Sequence, residues 1–222
     1  MQADWSARLR SLTGEPSSDA ADDAPRRRRV GFTRSEMMVQ GAAITRTLER
    51  EAEATSALAD LAVRRDVHRI VIVGCGDSWF AGIAARHAIE VLTGLPVEAA
   101  QAYDWAHYTA AGPGADTLVL GLSSGGNTPA VVAALEHAAA AGALAVGLSN
   151  TAESPVLTRF DAGLVVHATR RGWPTQSSTA AAALLVAIGS AIGRRRRGRS
   201  PRAAALDQSL AGLGLVMDQV AA

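Results

Sequence analysis

The 222-residue chain is long enough for one well-buried domain with tails and too short for two large ones. Its 22 basic residues are all Arg, which excludes Schiff-base and P-loop lysine chemistry. With 48% hydrophobic and only 4% aromatic residues, the core must be built from Ala, Val, Leu and Ile, which suits closely packed helices on a sheet. Formal net charge is +1, and the basic residues concentrate at 26–29 and 194–202. These runs read as a solvated tail and a solvated linker rather than a nucleic-acid surface. The single cysteine, Cys75, has no disulfide partner and no companion at metal-ligand spacing, so it reads as a small buried residue in a reducing, cytoplasmic setting.

In chain order, residues 1–33 mix Ser, Asp, Pro25 and Arg without apolar periodicity, and predict a disordered tail with no signal-peptide h-region. From Arg34 onward Met37, Met38, Ala42, Ile44, Leu48, Ala52, Leu58, Leu61 and Ala62 recur at helical spacing, predicting one long or broken amphipathic helix. Strands follow at 69–74, 97–100, 116–122, 144–148 and 162–166. Helices are expected at 78–92, 128–141 and 177–192, with a helical turn near 155–159 and some helical character after Ala100. The strands are continuously apolar and alternate with helices, which implies an α/β domain with a doubly wound parallel sheet. The apolar stretch 179–193 is too short for a membrane span, which needs ~20 residues, and is read as a buried helix. An Arg-rich linker from 194 and an amphipathic helix at 203–220 end the chain.

In such a sheet, ligands bind beyond the carboxyl ends of the strands where the winding reverses, which directs attention to the loops after the first and third strands. These are Gly74-Cys75-Gly76-Asp77-Ser78 and Ser123-Ser124-Gly125-Gly126-Asn127-Thr128. Each supplies glycines and hydroxyls at a helix start, a combination that attracts anions beyond ordinary helix capping. Two other motifs compete. Gly74-Cys75-Gly76 opens like a dinucleotide fingerprint with Glu98 at a ribose-contact distance, although Trp79 stands at the third glycine. Gly121-Leu122-Ser123-Ser124-Gly125 matches a nucleophile elbow, with Asp161 and His167 following in hydrolase order.

At these loops the sequence resembles the SIS (sugar isomerase) domain family, particularly the first isomerase domain of glucosamine-6-phosphate synthase and related aldose–ketose isomerases and deglycases. The resemblance runs over about 34–193 and includes Gln40, IVIVGCGDSWFAG at 70–82, GLSSGGNT at 121–128, GLSNTAESPV at 147–156 and GWPTQSSTAAAALL at 172–185. It implies a five-stranded, flavodoxin-like parallel sheet whose Ser-rich loop wraps a sugar phosphate. By position it implies Ser78, Ser123, Ser124 and Thr128 as hydroxyl or amide ligands. It likewise implies Gly76, Gly125 and Gly126 as backbone donors, with Thr175 and Gln176 approaching the sugar. Gly125, Asn127, Arg170, Arg171 and Ser177 depart from the family pattern, so the ligand is expected to be an anionic sugar bearing a phosphate or a similar group.

The expected function is therefore binding of that sugar, as an isomerase or deglycase, or as a non-catalytic sensor or subunit. No cofactor, metal or membrane is expected. Proton transfer between sugar carbons needs a nearby carboxylate or imidazole. Asp77, Asp104 and His107 are the candidates within the domain, although Asp77 also suits a helix cap and 103–107 an edge loop. In two-domain relatives the resemblance places the base outside the first domain, which implies a homodimer or a second SIS chain as partner. The stripe Leu206, Leu210, Leu213, Leu215 and Val216 is expected to need part of its cover from that partner.

Overall fold

A computed structural model describes residues 20–109, 112–198 and 201–221. The first element departs from expectation: helix α1, Ala24–Met38, takes in 24–33 of the 1–33 segment expected to be disordered, while 1–19 lie outside the described residues. Asp23 caps α1 by accepting from the Arg26 N–H at 2.7 Å, and Pro25 fits the first turn. Little of α1 is buried. Contacts to a distant loop, described below, hold it in place, and for that reason no apolar stripe marks it in the sequence. The amphipathic stretch that follows is broken at Glu51 into α2, Gln40–Arg50, and α3, Ala52–Arg64.

The alternating core comprises β1 (Arg69–Gly74), α4 (Asp77–Thr93), β2 (Val97–Gln101), α5 (Ala102–Tyr108), β3 (Thr117–Leu122), α6 (Pro129–Ala140), β4 (Leu144–Ser149), α7 (Pro155–Thr158), β5 (Ala162–Val165) and α8 (Gln176–Arg197). Among the described residues the five strands form one sheet in the order β2-β1-β3-β4-β5, with every neighbouring pair parallel. The order reverses between β1 and β3, the flavodoxin-like switch point. Alternate strand residues feed two cores. Ile70, Ile72, Leu118 and Leu120 join α2, α3, α4 and α8 on one face, and Val71, Val73 and Val119 join α5 and α6 on the other. Burial on both faces is why these strands read as unbroken apolar runs.

On the first face α4 and α8 pack side by side and parallel. A Cβ at Gly189 would meet Ile89 at 2.9 Å, and one at Gly193 would meet the Leu92 carbonyl at 2.4 Å, so glycine permits the close approach. Matching Ile89 to Gly189 and Leu92 to Gly193 brings both helix N-termini to the same edge of the sheet. By length and composition α8 could cross a membrane, yet 72% of its apolar window is buried inside this fold.

The linker expected from Arg194 begins later, because α8 runs on through Arg197. Its arginines are pinned: Arg194 pairs with Asp207 at 2.8 Å, Arg195 with Asp60 at 2.6 Å, and Arg196 donates to the Val67 carbonyl at 2.6 Å. Helix α9, Pro201–Ala221, folds back onto α2. Gly41 N–H donates to Asp218 Oδ1 at 3.0 Å, and Leu210, Leu213 and Met217 pack on the main core. Of the stripe expected to need a partner, only Leu215 and Val216 remain largely exposed, joined by Val220.

Candidate functional site

The loop after β1 turns through Gly76, whose φ of 54° is a conformation suited to glycine, and delivers Asp77 and Ser78 into the first turn of α4. Cys75 in the same turn is half-buried rather than fully enclosed, and burial pushes its thiol above the ordinary range.

The loop after β3 is held together by its own hydroxyls. Ser123, 2% exposed, bonds through Oγ to Thr128 Oγ1 at 2.8 Å and accepts the Gly126 N–H at 3.1 Å. Gly126 has φ 68°, and a Cβ there would lie 2.0 Å from Ser154 Oγ. The loop after β4 supports it from below. Ser149 Oγ and Thr151 Oγ1 both donate to the Ser124 carbonyl, at 3.2 and 3.0 Å. Asn150 then ties this loop to the chain just beyond β5 by donating to the Val166 and Ala168 carbonyls at 3.1 and 2.9 Å.

From Val166 to Thr175 the chain has no regular structure, and it crosses from edge strand β5 back to the start of α8. Midway, Arg170 comes within 4.0 Å of Asp77 at the start of α4. Thr175 precedes α8, and neither its Oγ1 nor the Oγ of Ser177, which is 2% exposed, finds a hydrogen-bond partner among the described residues. The Gln176 side chain is buried and donates to Thr169 Oγ1 at 2.7 Å, while its backbone N–H belongs to the first turn of α8.

Three helices of 17, 12 and 22 residues, α4, α6 and α8, thus begin at the carboxyl edge of the sheet. Their unpaired first-turn N–H groups and aligned dipoles make that edge attractive to negative charge. Gly76 and Ser78 stand at the start of α4, Thr175 and Gln176 at the start of α8, and Ser123, Ser124, Gly125, Gly126 and Thr128 in the loop between β3 and α6.

Several supporting residues escaped the sequence reading. Ser149, Asn150 and Thr151 lie within a motif already noted, but their role of bracing the loop is visible only once β3, β4 and β5 are adjacent. Glu36 and Thr33 of α1 gave no signal at all. His167, at the carboxyl end of β5, bonds Glu51 Oε1 through Nε2 at 2.7 Å and accepts Arg46 Nε at its carbonyl at 2.9 Å.

That geometry removes the two competing motifs. Asp161 accepts the Ala145 N–H at 2.9 Å at the opening end of β4 and β5, opposite the end where Ser123 sits, and His167 is committed to Glu51. Among the described residues no serine triad forms around Ser123. Glu98 likewise lies at the start of β2, paired with Arg69, far from any ligand placed at the Gly76 turn. Of the candidate bases, Asp77 faces Arg170, whereas Asp104 and His107 lie on α5, with the His107 ring tilted against Tyr103 at 4.6 Å between ring centres. Among the described residues no group of three or more His, Cys, Asp or Glu side chains is arranged to hold a metal.

A flavodoxin-like parallel sheet with hydroxyl-rich loops and helix starts at its switch point defines the class. The SIS domain model matches residues 65–191, more than half of the chain, and the chain belongs to that family. It is 38% identical over 109 residues to the glutamine–fructose-6-phosphate aminotransferase [isomerizing] of Corynebacterium glutamicum, a match covering 49% of this chain and 17% of that protein. The C-terminal domain of glucosamine-fructose-6-phosphate aminotransferase from Francisella tularensis is similar in fold, with TM-score 0.66 and 18% identity over 86% of this chain and 53% of that one. The tagatose-6-phosphate ketose/aldose isomerase of Escherichia coli matches with TM-score 0.62 and 19% identity, over 93% of this chain and 57% of that one. The chain therefore spans less than a fifth of the curated relative and about half of the aminotransferase domain.

Proposed function

We propose that this domain binds a phosphorylated or similarly anionic sugar at the 123–128 loop and the adjoining starts of α4 and α8. The observation that supports this best is the joining of Ser123 and Thr128 hydroxyls with open first-turn N–H groups at a strand-order reversal. Ser123, Ser124 and Thr128 supply hydroxyl or backbone contacts to the anion, and Gly125 supplies an N–H donor; the Gly126 N–H, expected to do the same, is instead spent inside the loop on Ser123. Gly76 and Ser78 approach from the β1 side, and Thr175 and the Gln176 N–H approach from α8. Arg170, half-exposed and only loosely paired with Asp77, adds a guanidinium that suits a phosphate or carboxylate.

The reaction that fits is aldose–ketose isomerisation or deglycation, in which a base moves a proton between adjacent sugar carbons. Within the chain Asp77 is the nearest candidate by placement, with Asp104 and His107 on the neighbouring α5. Among the described residues no carboxylate or imidazole hydrogen-bonds the 123–128 loop, and this favours a base delivered by a second copy of the chain or a second SIS domain. A sensor or subunit without catalysis of its own is the corresponding second reading. Isothermal titration of hexose 6-phosphates tests the site: the Ser123→Ala, Thr128→Ala double variant should bind at least about tenfold more weakly, the loss of roughly one charge-assisted hydrogen bond. Unchanged affinity overturns the assignment.

A further inference from the structure

We propose that Glu36 is a positioning residue for this site, acting from α1 through the second half of the crossing segment between β5 and α8. The inference rests on the sugar-binding reading above. Glu36 is 5% exposed, and its carboxylate is fully engaged. Oε1 accepts from Thr169 Oγ1 and from the Arg171 N–H, both at 2.7 Å, and Oε2 accepts from the Gly172 N–H at 3.0 Å. One turn earlier Thr33 Oγ1 accepts the next backbone donor, Trp173 N–H, at 2.9 Å. Three successive N–H groups of the crossing segment thus end on side chains of α1.

Stacking reinforces the clamp on both sides. The Arg171 guanidinium lies 4.0 Å from the Phe32 ring centre, and that of Arg29 lies 4.6 Å from the Trp173 ring. A Cβ at Gly172 would sit 2.3 Å from Thr33 Oγ1, so glycine lets the two backbones meet.

The division of labour along the segment gives this clamp its functional meaning. Asn150 fixes the first half through the Val166 and Ala168 carbonyls. The Arg171, Gly172 and Trp173 amides of the second half donate to side chains of α1, Glu36 and Thr33, rather than into a strand ladder. That half and its two flanks bear the groups assigned to the ligand: Arg170, just before it and opposite Asp77, Thr175 at its end, and Gln176, the first residue of α8, whose side chain donates to the same Thr169 hydroxyl that donates to Glu36. A carboxylate on α1, 133 residues away from Thr169, therefore sets where those groups stand. A displacement of about 1 Å in such groups is enough to cost up to a hundredfold in function.

The test uses the full chain with fructose 6-phosphate as probe, read by titration calorimetry, and amide hydrogen exchange at Arg171 and Gly172. Glu36→Gln keeps the size of the side chain but turns an NH2 toward N–H and O–H donors. It should accelerate exchange at both amides and weaken binding by about tenfold or more. The Ser123→Ala, Thr128→Ala variant should weaken binding without altering that exchange. Wild-type affinity in Glu36→Gln with faster exchange would reduce Glu36 to a purely structural role and overturn the proposal. If wild type itself fails to bind, the sugar-binding reading falls, and the proposal falls with it. Should Glu36→Gln not fold, Thr169→Val removes one donor to the carboxylate and leaves both backbone bonds; it should weaken binding by a smaller factor, and unchanged affinity in it overturns the proposal.

Discussion

Replacing Gly126 by alanine should destabilise the domain far more than the same change one residue earlier. Its φ of 68° lies in the left-handed region, where a side chain costs about 1–2 kcal/mol. The added Cβ would also sit 2.0 Å from Ser154 Oγ, 2.2 Å from Ser154 Cβ and 2.8 Å from Ser149 Oγ. Both serines are buried and cannot swing clear, so overpacking adds about 1–3 kcal/mol. The sum, about 2–5 kcal/mol, corresponds to a fall in melting temperature of roughly 4–20 °C for a chain of this size. Two controls separate the contributions. Gly76→Ala meets no atom within 4 Å but carries the positive φ of 54°, so it should cost about 1–3 kcal/mol from backbone strain alone. Gly125→Ala approaches only Asn127 Oδ1, at 3.3 Å, and should change stability by less than about 0.5 kcal/mol. Urea unfolding followed by circular dichroism gives the three values. Equal midpoints for Gly126→Ala and Gly125→Ala would refute the reasoning.

A fluorophosphonate probe should leave Ser123 unlabelled, since its Oγ bonds Thr128 and no imidazole accompanies it; stoichiometric labelling abolished by Ser123→Ala would restore a nucleophilic role. Burial pushes the Glu36 carboxyl upward, but the Arg171 N–H, the Thr169 hydroxyl, the Gly172 N–H and the Gln176 amide outweigh it, and the net shift is downward. Its stabilising contribution is therefore complete above the ordinary glutamate range of about 4.3 and disappears as pH falls through the lower folded value. Wild type should exceed Glu36→Gln by about 1–3 kcal/mol at neutral pH, and the gap should close in acid; a gap constant down to pH ~2.5 would contradict the assignment. Light scattering over a dilution series should show a dimer, with the exposed Leu215, Val216 and Val220 as part of its apolar contact. A monomer that isomerises fructose 6-phosphate at full rate would return the base to Asp77, Asp104 or His107.

The sheet was legible because its information is local. Each strand announces itself by an unbroken apolar run, from RIVIVG at Arg69–Gly74 to LAVGLS at Leu144–Ser149, and each helix by periodicity and capping residues at its start. The 123–128 segment was legible as a strand-to-helix loop for the same reason, since six consecutive Ser, Gly, Asn and Thr residues follow a buried strand. The errors fall where stability comes from contacts distant in sequence. Helix α1 is polar along much of its length, and its hold on the domain comes through Thr169, Arg171, Gly172 and Trp173. Arg195 looks solvated until Asp60, 135 positions earlier, stands opposite it. Composition and periodicity fix which segments become strands and helices, because burial of an apolar face is written residue by residue. Which polar groups meet across 100 or more positions depends on the folded arrangement of whole elements, so the tertiary structure alone assigned Glu36 to the crossing segment, His167 to Glu51 and α9 to the surface of α2.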